Sequence, residues 1–362
     1  MTHSPQTMSA GLLTGHGGLD KLRVVDDAPV PRPGPDDVLI RVYAAGVNNT
    51  DINTRTGWYS KSVTGATDGH EDDRETEGRA ADATWSGKPL EFPRIQGADC
   101  YGEIVAQGAD VPRNRLGETV LVRTLMRAPV RFRPFECWTF GSECDGGFAQ
   151  YTAAPHGDTF TVDSPLGAAE LGAIPCAYST AEGMLVRAGV GAGDRVLVTG
   201  ASGGVGSAAV ELARLRGAHV TAVTSARKTQ AVRDLGANAC LLREKPLLDQ
   251  ADKGAFTVVV DLVGGNTFSE LPDLLARGGR YVTAGAIGGP LVSLDLRSLY
   301  LKDLSLFGCV SQEDIVFENI IAYANAGDIR PRIAAEYALT DIQKAQEAFL
   351  AKNFIGKIVL RP

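Results

Sequence analysis

Along the second half of the chain, short unbroken apolar runs alternate with stretches of helical spacing. The runs at 194–200 (DRVLVTG), 218–224, 257–263 and 280–284 lack the in–out alternation of a strand with one wet face. Such runs predict strands buried on both sides. Ala and Leu recur at helical spacing over 168–188, 207–216 and roughly 228–235. Strands and helices in this order predict a parallel sheet covered on both faces. Before residue 168 the texture is different. Segments 38–47, 102–106, 118–123 and 147–151 predict strands, and a Pro-rich turn at 29–35 precedes the first. The last sixty residues predict one amphipathic helix near 340–350 and a closing strand at 356–360. Residues 57–93 fit neither texture. They are polar and poor in aliphatics, which predicts a surface insertion with a mobile acidic centre.

Composition narrows the function. A chain of 362 residues is long enough for two domains with separate cores. The net charge of −7 argues against a general nucleic-acid binder. Much of it is local, because 67–82 holds seven acids and two Arg. No run of 18 apolar residues predicts a membrane span, and the N-terminus has no basic and apolar leader pattern. Six Cys without a regular framework predict reduced thiols and a cytoplasmic protein.

The strongest chemical signal is VLVTGASGGVG followed by SAAVELARLRGAHVTAV. Its glycines fall between a strand and a helix, and a second strand follows at the distance expected of a dinucleotide fold. A pyrophosphate there must approach bare N–H groups at a helix start, where the helix dipole favours negative charge. Gly203 and Gly204 leave room for it, and Gly206 lets the helix pack on the strand. Gly200, Ser202 and Val205 complete the candidate turn, while Ala201 replaces the first fingerprint glycine. At the end of the second strand an NAD site would carry Asp or Glu. This chain has Thr224-Ser225-Ala226-Arg227-Lys228 instead. Ser225, Arg227 and Lys228 suit a 2′-phosphate, so the expected cofactor is NADP(H).

These motifs, with Val38–Asp51, Pro93–Gly108, Gly146–Tyr151, Pro175–Gly206, Asp261–Gly265 and Gly356–Leu360, make the sequence resemble the medium-chain dehydrogenase/reductase superfamily. The resemblance implies an α/β protein with a GroES-like β-rich catalytic domain, built from 1–165 and 307–362, and a Rossmann nucleotide domain at 166–306. It adds Thr180, Val263, Gly285 and Lys357 to the expected cofactor contacts, and implies a homodimer or homotetramer. Zinc-dependent members carry Cys, His and Cys where this chain has Asn48, Ala98 and Cys176. One of three ligands does not make a catalytic zinc site. Asn48–Asp51 and the Gly200–Gly206 turn are instead similar to the zinc-free quinone oxidoreductase and enone reductase branch.

Without a metal to polarise a simple carbonyl, a conjugated acceptor is the easier substrate, because charge spreads onto a distant oxygen. The expected activity is hydride transfer from NADPH to a quinone or α,β-unsaturated carbonyl. Asn48, Thr50 and Tyr59 are the candidate catalytic donors, with Asn53 behind them. Tyr59 is either a surface aromatic or a donor folded back over the cleft. Asp51 reads as a structural carboxylate. Two alternatives stay open: a zinc-binding alcohol dehydrogenase with unseen ligands, and an NADPH-binding sensor with little turnover.

Overall fold

In a computed structural model of the chain, residues 5–67 and 81–362 are described. The acidic centre of the 57–93 segment, including His70 and Asp72, lies outside them.

The first lobe is β-rich. The long strand Asp37–Val47 is its axis, pairing antiparallel with Tyr101–Gln107, Tyr151–Pro155 and the closing strand Lys357–Arg361. Thr119–Val122 and Thr159–Thr161 extend the sheet on one side, and Ile333–Ala338 on the other. Leu13, Ile40, Ile104, Phe148 and Ile358 close its core. Pairing of the last strand with the first long one sets Ile358 opposite Val47. That register brings the two chain ends together at the cleft.

The second lobe is a six-stranded parallel sheet. Its order is Ala239–Leu242, His219–Thr224, Arg195–Val198, Phe256–Asp261, Leu275–Thr283, Ser305–Gly308. Val196, Leu197 and Val198, like Val258, Val259 and Val260, are completely buried, as unbroken apolar runs require. Helices Pro175–Arg187 and Gly204–Leu215 cover one face; Phe268, Leu271 and Leu274 pack on the other.

Several expectations need correction. The helix expected over 168–188 is two helices, Ala168–Gly172 and Pro175–Arg187, because proline opens the second. The strand expected at 147–151 starts only at Tyr151; Gly146 and Gly147 instead donate to Ile95 and Gly97 carbonyls as a tight crossing. The second lobe does not end at 306. Ser305–Gly308 is the sixth strand of its sheet, and Asp314–Ala326 buries Phe317 and Ile320 in its core, so the first lobe resumes at Ile333–Ala338. Finally, the described flanks of 57–93 are not a surface insertion. Val63, Ala83 and Leu90 are buried, and their small number had hidden that role.

Candidate active site

A cavity of about 720 Å³ runs through the cleft between the lobes. Its nucleotide end starts at the glycine turn. Gly200 has φ +60°, a left-handed conformation that glycine adopts without strain. A Cβ on Gly206 would lie 2.2 Å from the Gly200 carbonyl oxygen, so helix Gly204–Leu215 can approach the strand only with glycine there. The first N–H groups of this helix face the cavity without intrahelical partners. Gly200, Ser202, Gly203, Gly204, Val205, Gly206, Val263 and Gly285 all line the wall, with Thr180 from helix Pro175–Arg187.

Farther along lie Thr224 and Ser225, whose buried hydroxyl oxygens have no partner. Lys228 reaches the wall, but its Nζ already donates to the Lys352 and Phe354 carbonyls at 2.8 and 2.6 Å. It clips the start of helix Thr229–Asp234 to the first lobe. Arg227 is exposed and does not line the cavity, contrary to expectation. Arg243 and Lys245, which follow the neighbouring strand Ala239–Leu242, line the wall. The Arg243 backbone N–H donates to the Thr224 carbonyl at 3.0 Å, so strand pairing sets this cation beside Ser225. A local motif search misses it because the two are adjacent only in the sheet. The unpartnered hydroxyls, the bare helix start and these cations fit the phosphates of a nicotinamide dinucleotide.

At the junction of the lobes the Lys357 ammonium is buried. It donates to Asp99 Oδ2 at 2.9 Å and to Asn48 Oδ1. Its stem crosses two glycines: a Cβ on Gly46 would be 2.9 Å from Lys357 Cε, and one on Gly204 2.8 Å from Cδ. Asp99 also accepts from Asn48 Nδ2 at 2.8 Å and from the Cys176 backbone N–H at 2.6 Å. Asn48 Nδ2 donates to the Gly46 carbonyl as well, at 3.1 Å. Both amide hydrogens are thus engaged, so the expectation of Asn48 as a substrate donor is corrected: it lines the cavity with nothing left to give. Asp51 accepts from the Asn48 and Ala98 backbone N–H groups at 2.7 and 3.1 Å. Burial pushes its carboxyl up to about 7, against the pull of those amides. The same burial, with Asp99 nearby, raises the Cys176 thiol and keeps it protonated. An amide, a methyl group, a protonated thiol and an ammonium do not fit a catalytic zinc ion, which takes three thiolate, imidazole or carboxylate ligands. Among the described residues no group of three or more His, Cys, Asp or Glu could hold a metal.

The far end of the cavity is aromatic. Helix Asn49–Thr56 presents Thr50, and Trp58, Tyr59 and Trp85 close over it from the 57–93 segment. The Tyr59 hydroxyl donates to Thr50 Oγ1 at 3.0 Å, and Trp85 Nε1 donates to the same oxygen at 3.0 Å. Tyr59 and Trp85 rings lie 4.7 Å apart. Of the two open readings of Tyr59, the fold adopts the one folded back. Burial raises its phenol, which stays neutral. Trp85 was missed: nothing in a polar segment marks one tryptophan as a site residue before the fold is known.

Comparison with known proteins places this geometry. Residues 75–164 match the family described as alcohol dehydrogenase GroES-like domain, and residues 204–325 match the one described as zinc-binding dehydrogenase. Neither match includes Asn48 or Cys176. The chain is 28% identical to the acryloyl-coenzyme A reductase of Sulfurisphaera tokodaii, over 93% of this chain and 96% of the relative. It is 26% identical to human quinone oxidoreductase, over 99% of both. A solved structure from Sinorhizobium meliloti 1021, provisionally described as an alcohol dehydrogenase, is 42% identical with TM-score 0.87, over 99% of this chain and 98% of that one. A cobalt- and zinc-bound alcohol dehydrogenase from Pyrobaculum aerophilum is 28% identical with TM-score 0.81, over 98% of this chain and 100% of that one.

Proposed function

The chain belongs to the medium-chain dehydrogenase/reductase superfamily, on its zinc-independent side, and from that premise we propose that it is an NADPH-dependent reductase of quinones or α,β-unsaturated carbonyls. One observation carries the reading. One cavity joins the phosphate turn to an aromatic pocket with a hydroxyl donor, Thr50, and among the described residues no zinc ligand set lies between them.

When bound, the dihydronicotinamide supplies the hydride. Thr180, Val263 and Gly285 would flank its ring, and the turn from Gly200 to Gly206 would hold the pyrophosphate on backbone N–H groups. Ser225 and Arg243 would receive the 2′-phosphate, and Lys228 ties that end to the first lobe. Lys357 and Asp99 keep the lobe junction buried and electrically balanced. Trp58, Tyr59 and Trp85 stack a planar acceptor and exclude water. As hydride adds to the β-carbon of an enone, the displaced electron pair moves to the carbonyl oxygen. Thr50 donates a hydrogen bond to that oxygen, and a proton from solvent completes the saturated product. For a quinone the same hydride and one proton give the hydroquinone.

Among the described residues, the substrate end is lined by neutral side chains, Trp58, Tyr59, Thr67, Trp85, Leu125 and Val310. This supports a compact neutral acceptor over a polyanionic thioester. The six described cysteines are all free thiols, in keeping with a reducing cytoplasm. The outer strand Ser305–Gly308 and its neighbours leave Leu296, Tyr300, Leu301 and Leu306 exposed. An open sheet edge beside an apolar patch supports pairing with a second copy as a homodimer.

The test is NADPH oxidation by purified protein across quinones, enones and simple aldehydes, with EDTA in parallel. The expected result is turnover with quinones or enones, turnover with simple aldehydes at least tenfold lower, and no loss to EDTA. NADPH binding with no acceptor turned over would favour the sensor reading. Loss of activity in EDTA, restored by zinc, would favour the alcohol dehydrogenase.

A further inference from the structure

The hydroxyl of Thr50 is held from two sides by donors, and this decides where its own proton goes. A threonine oxygen has one proton and two lone pairs. Trp85 Nε1 can only donate, so it occupies one lone pair, at 3.0 Å. Tyr59 supplies the second contact, at 3.0 Å. The Tyr59 hydroxyl is the donor of that bond, so its hydrogen is directed at Thr50. Both lone pairs of Thr50 are then filled. Its remaining hydrogen finds no acceptor among the described residues, and the side chain lines the cavity.

Trp85 is itself fixed. It rides a tight turn in which Thr84 Oγ1 donates to the Lys88 carbonyl at 2.8 Å, with Gly87 left-handed at φ +70°. The Ser86 backbone N–H donates to Glu143 Oε1 at 2.8 Å. Tyr59 packs against the indole, and Trp58 Nε1 pins the same segment through the Gly65 carbonyl at 3.0 Å. Neither a free indole nor a free threonine would hold one orientation; together they do.

We propose that Trp85 is a positioning residue of the reductase site: its indole N–H fills a lone pair of Thr50 Oγ1 and so turns the Thr50 hydroxyl proton toward the carbonyl oxygen of the acceptor. The inference rests on the reading of Thr50 as the substrate donor. The indole touches no reacting atom. It acts by removing the alternative in which Thr50 spends its proton inside the wall. The 57–93 segment thus completes the donor that helix Asn49–Thr56 only begins.

The experiment compares wild type with Trp85→Phe, Thr50→Val and the double variant, using NADPH and cyclohex-2-enone or a benzoquinone. Phenylalanine keeps an aromatic ring and removes the N–H. Trp85→Phe should lower kcat about tenfold, the worth of one hydrogen bond, with KM within about twofold. In the Thr50→Val background the same change should have no further effect on kcat. A second readout needs no turnover. With NADP⁺ in place of NADPH, the bound enone's carbonyl stretch should fall in the wild type, return toward its free value in Thr50→Val, and lie between in Trp85→Phe. Unchanged kcat and carbonyl frequency in Trp85→Phe would overturn the inference, as would equal effects of the change in both Thr50 backgrounds. Should Trp85→Phe not fold, the Trp85 indole ¹⁵N–¹H resonance of the wild type must move in Thr50→Val; a resonance that does not move refutes the contact. A wild type that shifts the carbonyl band yet turns over no acceptor would sink the proposed activity and leave the Trp85 assignment standing.

Discussion

Asp51 shows how a single carboxylate can be read correctly from sequence yet hold a property that only burial creates. Its role at the start of helix Asn49–Thr56 follows from a short polar side chain three residues after Asn48. Its elevation from 3.8 to about 7 follows from complete enclosure. The folded chain therefore binds that proton more tightly than the unfolded chain does. The stability this contributes is full below about pH 4 and is lost as pH rises to about 7, by at most about 1.4 kcal/mol per pH unit. Asp51→Asn should remove this slope, so urea midpoints of wild type and variant should converge or cross between pH 5 and pH 8. Parallel curves would contradict it. The cofactor cations teach the reverse lesson. Arg227 and Lys228 stand beside Ser225 in sequence, but Arg227 is exposed and Lys228 is engaged with carbonyls. Arg243→Ala should weaken NADPH about tenfold, the lower range for a charge-assisted bond at a partly exposed arginine, and leave NADH within about twofold. Arg227→Ala should change neither. Fluorescence titration of both cofactors checks all four values.

At the level of elements, the glycine turn and its helix are the part where local sequence and tertiary need agree most fully. Strand Arg195–Val198, the turn and helix Gly204–Leu215 each follow from their own residues, and the helix begins three residues earlier than its apolar spacing indicates because Gly204–Gly206 continue it. Gly206→Val should abolish binding of both cofactors, at least a hundredfold by titration, since its Cβ alone would collide with the Gly200 carbonyl. Unchanged NADPH affinity would remove the turn from the site. The 57–93 segment is the opposite case. Its polarity predicts a solvated loop, yet Trp58, Tyr59 and Trp85 close the substrate end, and the Thr67 N–H reaches the Ile287 carbonyl of the second lobe at 3.1 Å. Three aromatics among many polar residues carry no periodic signal, so their burial depends wholly on what they pack against.

Across the whole molecule, the chain's two ends build one lobe, and its middle builds the other. The lobes meet through specific polar contacts: Arg123 and Arg127 both donate to Asp314, at 3.2 and 3.0 Å, and the Phe160 and Phe317 rings meet at a tilt beside them, 4.7 Å between centres. Among the described residues no helix is long and apolar enough to cross a membrane. The open edge at Ser305–Gly308 makes the assembly a prediction. Wild type should elute and scatter light as a dimer, and Leu306→Lys combined with Tyr300→Lys should halve the mass while leaving the far-ultraviolet spectrum intact. A monomeric wild type would refute the pairing. The later return to the first lobe, at Ile333–Ala338, could not be placed from pattern alone. An apolar helix such as Asp314–Ala326 packs equally well against either lobe until the sheet edges are known.

The sequence by itself determined the nucleotide half: buried parallel strands, the phosphate turn and the absence of a full set of zinc ligands at Asn48, Ala98 and Cys176. These are written in contiguous residues, where hydrophobic period, glycine placement and ligand chemistry act over a few positions. Only the tertiary structure decided that Lys357 meets Asp99 at the lobe junction, that Arg243 stands beside Ser225, and that Trp85 touches Thr50. Each of those contacts joins residues far apart in the chain or on neighbouring strands. Their energies depend on burial and geometry that no local run of amino acids encodes.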